Sequence, residues 1–262
     1  MQAEPGPHAD WLLPGWSAPG VGALMTTRHG GVSQGPFLSL NLRDGLGDDP
    51  AAVSRNKALL GAAIGAQPVF VNQVHGAQVV RLFESDGLPD APVHTADASV
   101  TIEPGVACTA QVADCLPVLF AAPNASAVGA AHAGWRGLAL GVLEATLESV
   151  CTLADCAPSE VQVWLGACIG PRRFEVGADV LHAFGASTTG SDTALFVRHT
   201  PGKWLANLPQ LARERLRTAG VEAISGGEWC TVEGASRFFS FRRDRVTGRM
   251  VAAIWIERRH GV

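Results

Sequence analysis

Tyrosine is absent: none occurs among the 262 residues. A mechanism that needs a phenolic acid or a tyrosine ligand is therefore excluded. No two of the eight histidines stand two apart, and none of the three methionines, Met1, Met25 and Met250, sits beside a Cys–His pair. Multicopper oxidation, which draws on many closely paired histidines and a weak axial methionine, has little to build on. The six cysteines, Cys108, Cys115, Cys151, Cys156, Cys168 and Cys230, form no CxxC pair. That argues against a zinc ribbon and against thioredoxin chemistry. The opening MQAEPGPHADW lacks a basic segment followed by an apolar block, so no signal peptide is read. A cytoplasmic location with reduced or metal-bound thiols is expected. The most apolar region, 106–135, is broken by Asp114, Pro117 and Pro123 and cannot cross a membrane as a helix. Charged residues are only 17% of the chain and the net charge is −4, so no basic stripe for nucleic acid is present. Arg237, Arg242, Arg243, Arg245 and Arg249 cluster locally and read as a solvated turn.

What is present is an apolar, globular composition, with 47% hydrophobic residues and enough length for a sizeable core. Asp49-Pro50 reads as an N-cap followed by Pro at the first helical position, opening a helix through AAVSRNKALLGAAIG. Strand-like runs follow: PVFVNQV (68–74), QVVRLF (78–83), ASVTI (98–102), VACTAQV (106–112), PVLFAA (117–122) and SAVGAAH (126–132). Their Val, Ile and Phe content and the loop-formers between them favour strands. A helical pattern over 135–150 precedes a strand VQVWLGA (161–167). EVGADVLHAF (175–184) reads as a helix. LPQLARERLRTAG (208–220) reads as another, capped by Asn207 and stopped by Gly220. VAAIWIE (251–257) closes as a strand. With no repeat and no long linker, the economical fold is one α/β (α+β) domain over 1–262 with strands in more than one sheet, flanked by helices.

Three segments place acid/base or metal-capable residues where strands end: His75 in VNQVHG, Asp114 and Cys115 in QVADCLP, and His132 in AAHAGWRG. Such strand ends converge on sites in α/β proteins. A histidine in an apolar run is commonly a hydrogen-bonded core residue, and a buried cysteine commonly a small hydrophobe. Taken together, His, Cys and His suit catalytic zinc, which takes three protein ligands and leaves a fourth position open. The same residues equally suit a Cys115 thiol nucleophile activated by His132 or His75. Arg136 and Arg28 are candidate anion holds. Glu175 reads as a general acid or base, or as a favourable first-turn acid of its helix. Cys168 reads as a packed core residue.

The chain resembles the YfiH-like family, whose members are described as laccase-domain (former polyphenol oxidase) proteins and as purine nucleoside phosphorylases. The resemblance rests on TTRHGGVSQGPFLSLNL, GDDPAAVSRN, NQVHG, ADASVT, ADCLPVLF, AAHAGWRG, GACIGPRRFEVG and FFSFRRDRVTGR, in order along nearly the whole chain. It implies a single domain of layered mixed β-sheets and one zinc per chain held by His75, Cys115 and His132, with copper only in the older family description. It implies catalytic roles for Cys115, His132, Asp114 and Glu175, and nucleoside or phosphate binding by Arg28, Asn41, Gln73 and Arg136. The implied chemistry is phosphorolysis of adenosine, inosine and methylthioadenosine, together with adenosine deamination. The alternative is a Cys/His amidase that removes wrongly incorporated serine from peptidoglycan precursors, and a non-enzymatic nucleoside-binding module is a third reading. Three departures from the family pattern stand out. Gly45 replaces a histidine after SLNL, and Phe174 and Phe241 replace tyrosines, which removes a site-edge contact and two hydroxyl donors.

Overall fold

The computed structural model describes residues 6–258. The first five residues of the opening stretch, and the last four with His260, lie outside it. Thirteen strands are present among the described residues: β1 (Val21–Met25), β2 (Gln67–Val69), β3 (Val79–Arg81), β4 (Ala98–Thr101), β5 (Val106–Val112), β6 (Leu116–Ala121), β7 (Val128–Ala133), β8 (Gln162–Leu165), β9 (Glu175–Val176), β10 (Phe196–Arg198), β11 (Trp204–Ala206), β12 (Ala223–Gly226) and β13 (Met250–Ile256). Six α-helices accompany them: α1 (Pro50–Ile64), α2 (Trp135–Leu140), α3 (Val142–Ala154), α4 (Ala178–Ala183), α5 (Leu208–Thr218) and α6 (Phe241–Asp244).

Period-two burial explains the layering. A four-stranded sheet runs β1-β13-β5-β2 and a six-stranded sheet runs β12-β8-β6-β7-β4-β3, both mixed; a small three-stranded sheet runs β10-β11-β9. In β13, Ala252 and Ile254 face one core while Val251 and Ala253 face another with Leu60 and Ile64 of α1. In β6, Leu119 and Ala121 join the first of these cores, while Val118 and Phe120 pack with Leu143, Leu147 and Val150 of α3 and with Leu211 and Leu216 of α5. The two large sheets therefore lie face to face, each covered outside by helices. Burying side chains of this size is worth about 1.5–3 kcal/mol apiece. No helix among the described residues is long and apolar enough to cross a membrane.

The predicted α/β class and layered sheets are present. Asp49 caps α1 by accepting from the Ala51 N–H, and Asn207 caps α5 by accepting from the Gln210 N–H. The helix expected over 135–150 is two helices, broken at Gly141, whose φ of 93° belongs to the left-handed region. The helix expected over 175–184 is only α4. Glu175 and Val176 pair instead with Leu205 and Trp204, because extended Gly177 delays the helix. The arginine cluster is not a solvated turn. Arg237 donates to the Asp10 carbonyl, Arg242 to that of Glu175, and Arg243 to those of Thr231, Val232 and Phe238.

Candidate metal centre

The sheet interface ends in three turns that meet. After β2 the chain leaves its sheet and reaches His75 at a φ of 63°. What holds it there is Asp97, just before β4. The Asp97 carboxylate accepts the N–H groups of Val74, His75 and Gly76 at 3.1, 2.9 and 2.6 Å. It also accepts His132 Nδ1 at 2.8 Å. Burial alone would push this carboxyl up; the His132 contact and the Gly76 and Val74 N–H groups outweigh it and hold Asp97 below the usual carboxylate range. An ionised carboxylate only accepts, so the neutral form of His132 carries its proton on Nδ1 and presents Nε2 as the lone pair.

Cys115 lies in the turn that carries the chain from β5 in one sheet to β6 in the other. Asp114 sets this turn at a φ of 98°, with the Thr231 hydroxyl and the Arg242 N–H donating to its two oxygens at 2.6 Å each. His132 sits near the end of β7, beside Pro117 of β6. One ligand atom from each of His75, Cys115 and His132 comes within 4.8 Å of the others. Cys115 Sγ is 3.8 Å from His75 Nε2, and the two imidazoles meet edge to face at 4.8 Å. Burial favours the neutral thiol, but the charge and hydrogen bonds of His132, then His75, outweigh it and bring Cys115 to about 6. Burial likewise disfavours the imidazolium of His132, yet Cys115 and Asp97 lift it to about 9.

Gly134 opens α2 directly over this group. A Cβ there would lie 2.9 Å from His75 Cδ2 and 3.1 Å from Cys115 Sγ. A Cβ on Gly137 would meet the Gly76 carbonyl at 2.7 Å. The glycines of HAGWRG are thus needed for clearance, and the donor set of two imidazoles and a thiolate-prone cysteine fits a tetrahedral zinc with one open position.

A pocket of about 140 Å³ opens beside Cys115, walled by Asp114, Gly134, Trp135, Phe174, Phe241 and Arg242 among others. A larger groove, about 1140 Å³, lies between α1 and residues 86–94 and includes none of the three donors. Arg136 is exposed, with its guanidinium 4.4 Å from the Trp135 ring centroid. Glu175 faces His199 at 3.6 Å and is not among the pocket walls. Arg28 donates to the Leu38 and Ala235 carbonyls and lies over Phe239. Gln73 is committed to the Gln111 backbone through both amide atoms. Asn41 is buried; its carboxamide oxygen accepts the N–H of Arg43 and of Arg249. Cys168 is fully buried in the core, and burial raises its thiol well above the ordinary range. Gly45 has open space around it, while Phe174 and Phe241 line the pocket. Asp97 escaped the sequence reading; its only signal was an acid directly before an apolar strand.

Residues 22–257 match the family described as multi-copper polyphenol oxidoreductase laccase. The chain belongs to this family. A purine nucleoside phosphorylase of Pseudomonas aeruginosa and the Escherichia coli purine nucleoside phosphorylase YfiH are each 47% identical over 248 residues, covering 94% of this chain and 98% of theirs. A solved Neisseria meningitidis protein superposes with a TM-score of 0.87 at 44% identity, covering 95% of this chain and 100% of its own. YlmD from Geobacillus stearothermophilus gives 0.86 at 35% identity, covering 95% of this chain and 96% of its own. Against the multi-copper description stands the donor inventory: among the described residues, one three-donor group gathers.

Proposed function

We propose that the chain is a zinc-dependent purine nucleoside enzyme. It cleaves adenosine, inosine and methylthioadenosine with phosphate to base and ribose 1-phosphate, and it deaminates adenosine. The observation that carries this reading is the His75–Cys115–His132 group at the mouth of an aromatic-walled pocket. The names of relatives at 47% identity support the substrate class.

Zinc held by the three donors supplies Lewis acidity beside the pocket. Trp135, Phe174 and Phe241 offer apolar walls to a purine. In phosphorolysis a phosphate oxygen forms the bond to ribose C1′ as the C1′–N9 bond breaks, and the base leaves with a proton on a ring nitrogen. Arg136, stacked on the pocket-wall residue Trp135, is placed to attract the phosphate. Arg28, tied to two carbonyls, serves the fold first. In deamination a water oxygen forms the bond to C6 as the C6–N bond breaks, and the amino group must collect a proton to leave as ammonia. Asp114 is the wall residue to pass it, since each oxygen already holds one donor and keeps a second lone pair; Glu175, which faces His199 outside the pocket walls, is the weaker candidate for that role. The protein is expected in the cytoplasm, without nucleic acid or membrane as partner.

Zinc-loaded protein incubated with adenosine or inosine should release free base only when phosphate is present, and adenosine alone should yield inosine. His132→Ala should abolish both products. Failure of every nucleoside to react would sink the proposal. The Cys115–His75 approach of 3.8 Å also permits a thiol amidase on cell-wall precursors. That activity would survive chelation and die on alkylation of Cys115, whereas the nucleoside enzyme should fail on chelation.

A further inference from the structure

We infer that Arg43 and Arg249 form a second element of the site, a seat for a doubly charged phosphate at the rim of the metal pocket. The inference deepens the phosphorolysis reading and rests on it only for the seat's role in turnover. Two independent strands of chain are brought together by one side chain. Asn41 Oδ1 accepts the Arg43 N–H at 3.1 Å and the Arg249 N–H at 2.9 Å, and the Leu42 N–H donates to the Arg249 carbonyl at 3.1 Å. Gly248 permits this approach, because a Cβ there would stand 2.9 Å from Asn41 Cβ. The Arg249 guanidinium then lies 5.8 Å from the ring centroid of Phe241, a wall of the metal pocket.

Neither guanidinium pairs with a carboxylate among the described residues. The nearby acids are engaged elsewhere: Asp44 with Lys57, and Asp48 with Asn41 and Ser33. Arg249 spends Nη1 on the Thr247 and Gly248 carbonyls, while its Nε and Nη2 donate to nothing among the described residues. The Arg43 guanidinium donates to nothing there either. Partial burial, then the charge of Arg43, pulls the Arg249 pKa down, while Cys115 and Asp114 push it up. Two part-buried cations that repel each other, with no carboxylate partner among the described residues, favour a bound oxyanion, and guanidinium forks match phosphate geometry. This assignment also gives Asn41 a role as the positioning residue of the seat.

The test is calorimetric titration of the zinc-loaded protein with inorganic phosphate, beside Arg43→Gln, Arg249→Lys and the remote control Arg81→Gln. Arg43 makes no side-chain hydrogen bond among the described residues, so its variant should fold. The parent should bind phosphate at millimolar concentration or below. Arg43→Gln and Arg249→Lys should weaken binding about tenfold or more, with the control unchanged. Phosphate should still bind with adenosine present. Absence of phosphate binding by the parent, parent-like binding by both variants, or mutual displacement of adenosine and phosphate would overturn the seat. Binding that the variants lose, in a protein that cleaves no nucleoside, would keep the seat and remove the phosphorylase reading.

Discussion

Asp97 accepts the Nδ1 proton of His132 at 2.8 Å, and through that contact it decides which ring nitrogen faces the metal group. The same carboxylate gathers three consecutive N–H groups around His75. One buried acid thus orients two of the three donors. Such outer partners commonly carry about 10–100-fold of metal affinity. Asp97→Asn should therefore lower zinc affinity by that order, measured by competition with a chromogenic chelator. An affinity equal to the parent's would show that His132 orients itself.

Gly134→Ala tests clearance alone. Gly134 has φ −64° and ψ 157°, which any residue adopts, so the added methyl meets only His75 and Cys115. Zinc content after purification should drop from about one per chain to a small fraction, by elemental analysis, while the circular dichroism spectrum stays unchanged. Full zinc content in the variant would mean that the turn has room to spare.

Asp114 holds the turn between β5 and β6 to the Thr231 and Arg242 segments. Asp114→Ala leaves both donors without their acceptor, and the metal-free protein should lose about 1–3 kcal/mol in urea unfolding. If stability stays at the parent's value while deamination alone fails, Asp114 acts as a proton carrier and not as a tether.

Asp86 accepts from His94 Nε2 and from the Phe83 N–H, each at 2.8 Å. Burial pushes its carboxyl up, but these two contacts prevail and the pKa lies below the ordinary value. A depressed carboxylate stabilises the fold above its unfolded pKa, about 3.9, and loses that contribution as pH falls through the folded value. Melting temperatures of the parent and of Asp86→Asn should differ near neutral pH and converge below about pH 3. A gap that is constant across the series would assign the effect to something other than ionisation.

The sequence announced what local chemistry controls. Residues 106–112, a strand-like run bounded by valines, are β5 residue for residue, and Asp49-Pro50 starts α1 as its cap chemistry requires. The donors His75, Cys115 and His132 could be picked out as polar residues at strand ends, and they do meet. Non-local pairing was harder to see. Gln73 lies in a run that looks like a strand, yet its side chain takes over the bonding to Gln111 that a strand backbone would make. Glu175 has helical neighbours but pairs with Leu205, thirty residues on. The uses of Asn41 and Asp97 depend on which backbone groups arrive beside them, and no spacing in the chain encodes that.

The turn through Asp114 and Cys115 is the point at which the chain passes from one sheet to the other. His75 emerges beyond a strand of the first sheet, while His132 belongs to the second. The donors sit 40 and 57 positions apart from His75 onward, and they come from segments of both sheets. Metal capture is accordingly expected to follow the mating of the two sheets, and a chain whose sheets have not mated should hold a metal less tightly. Retention of zinc during dilution would then act as a proofreading mark, separating finished molecules from those still assembling.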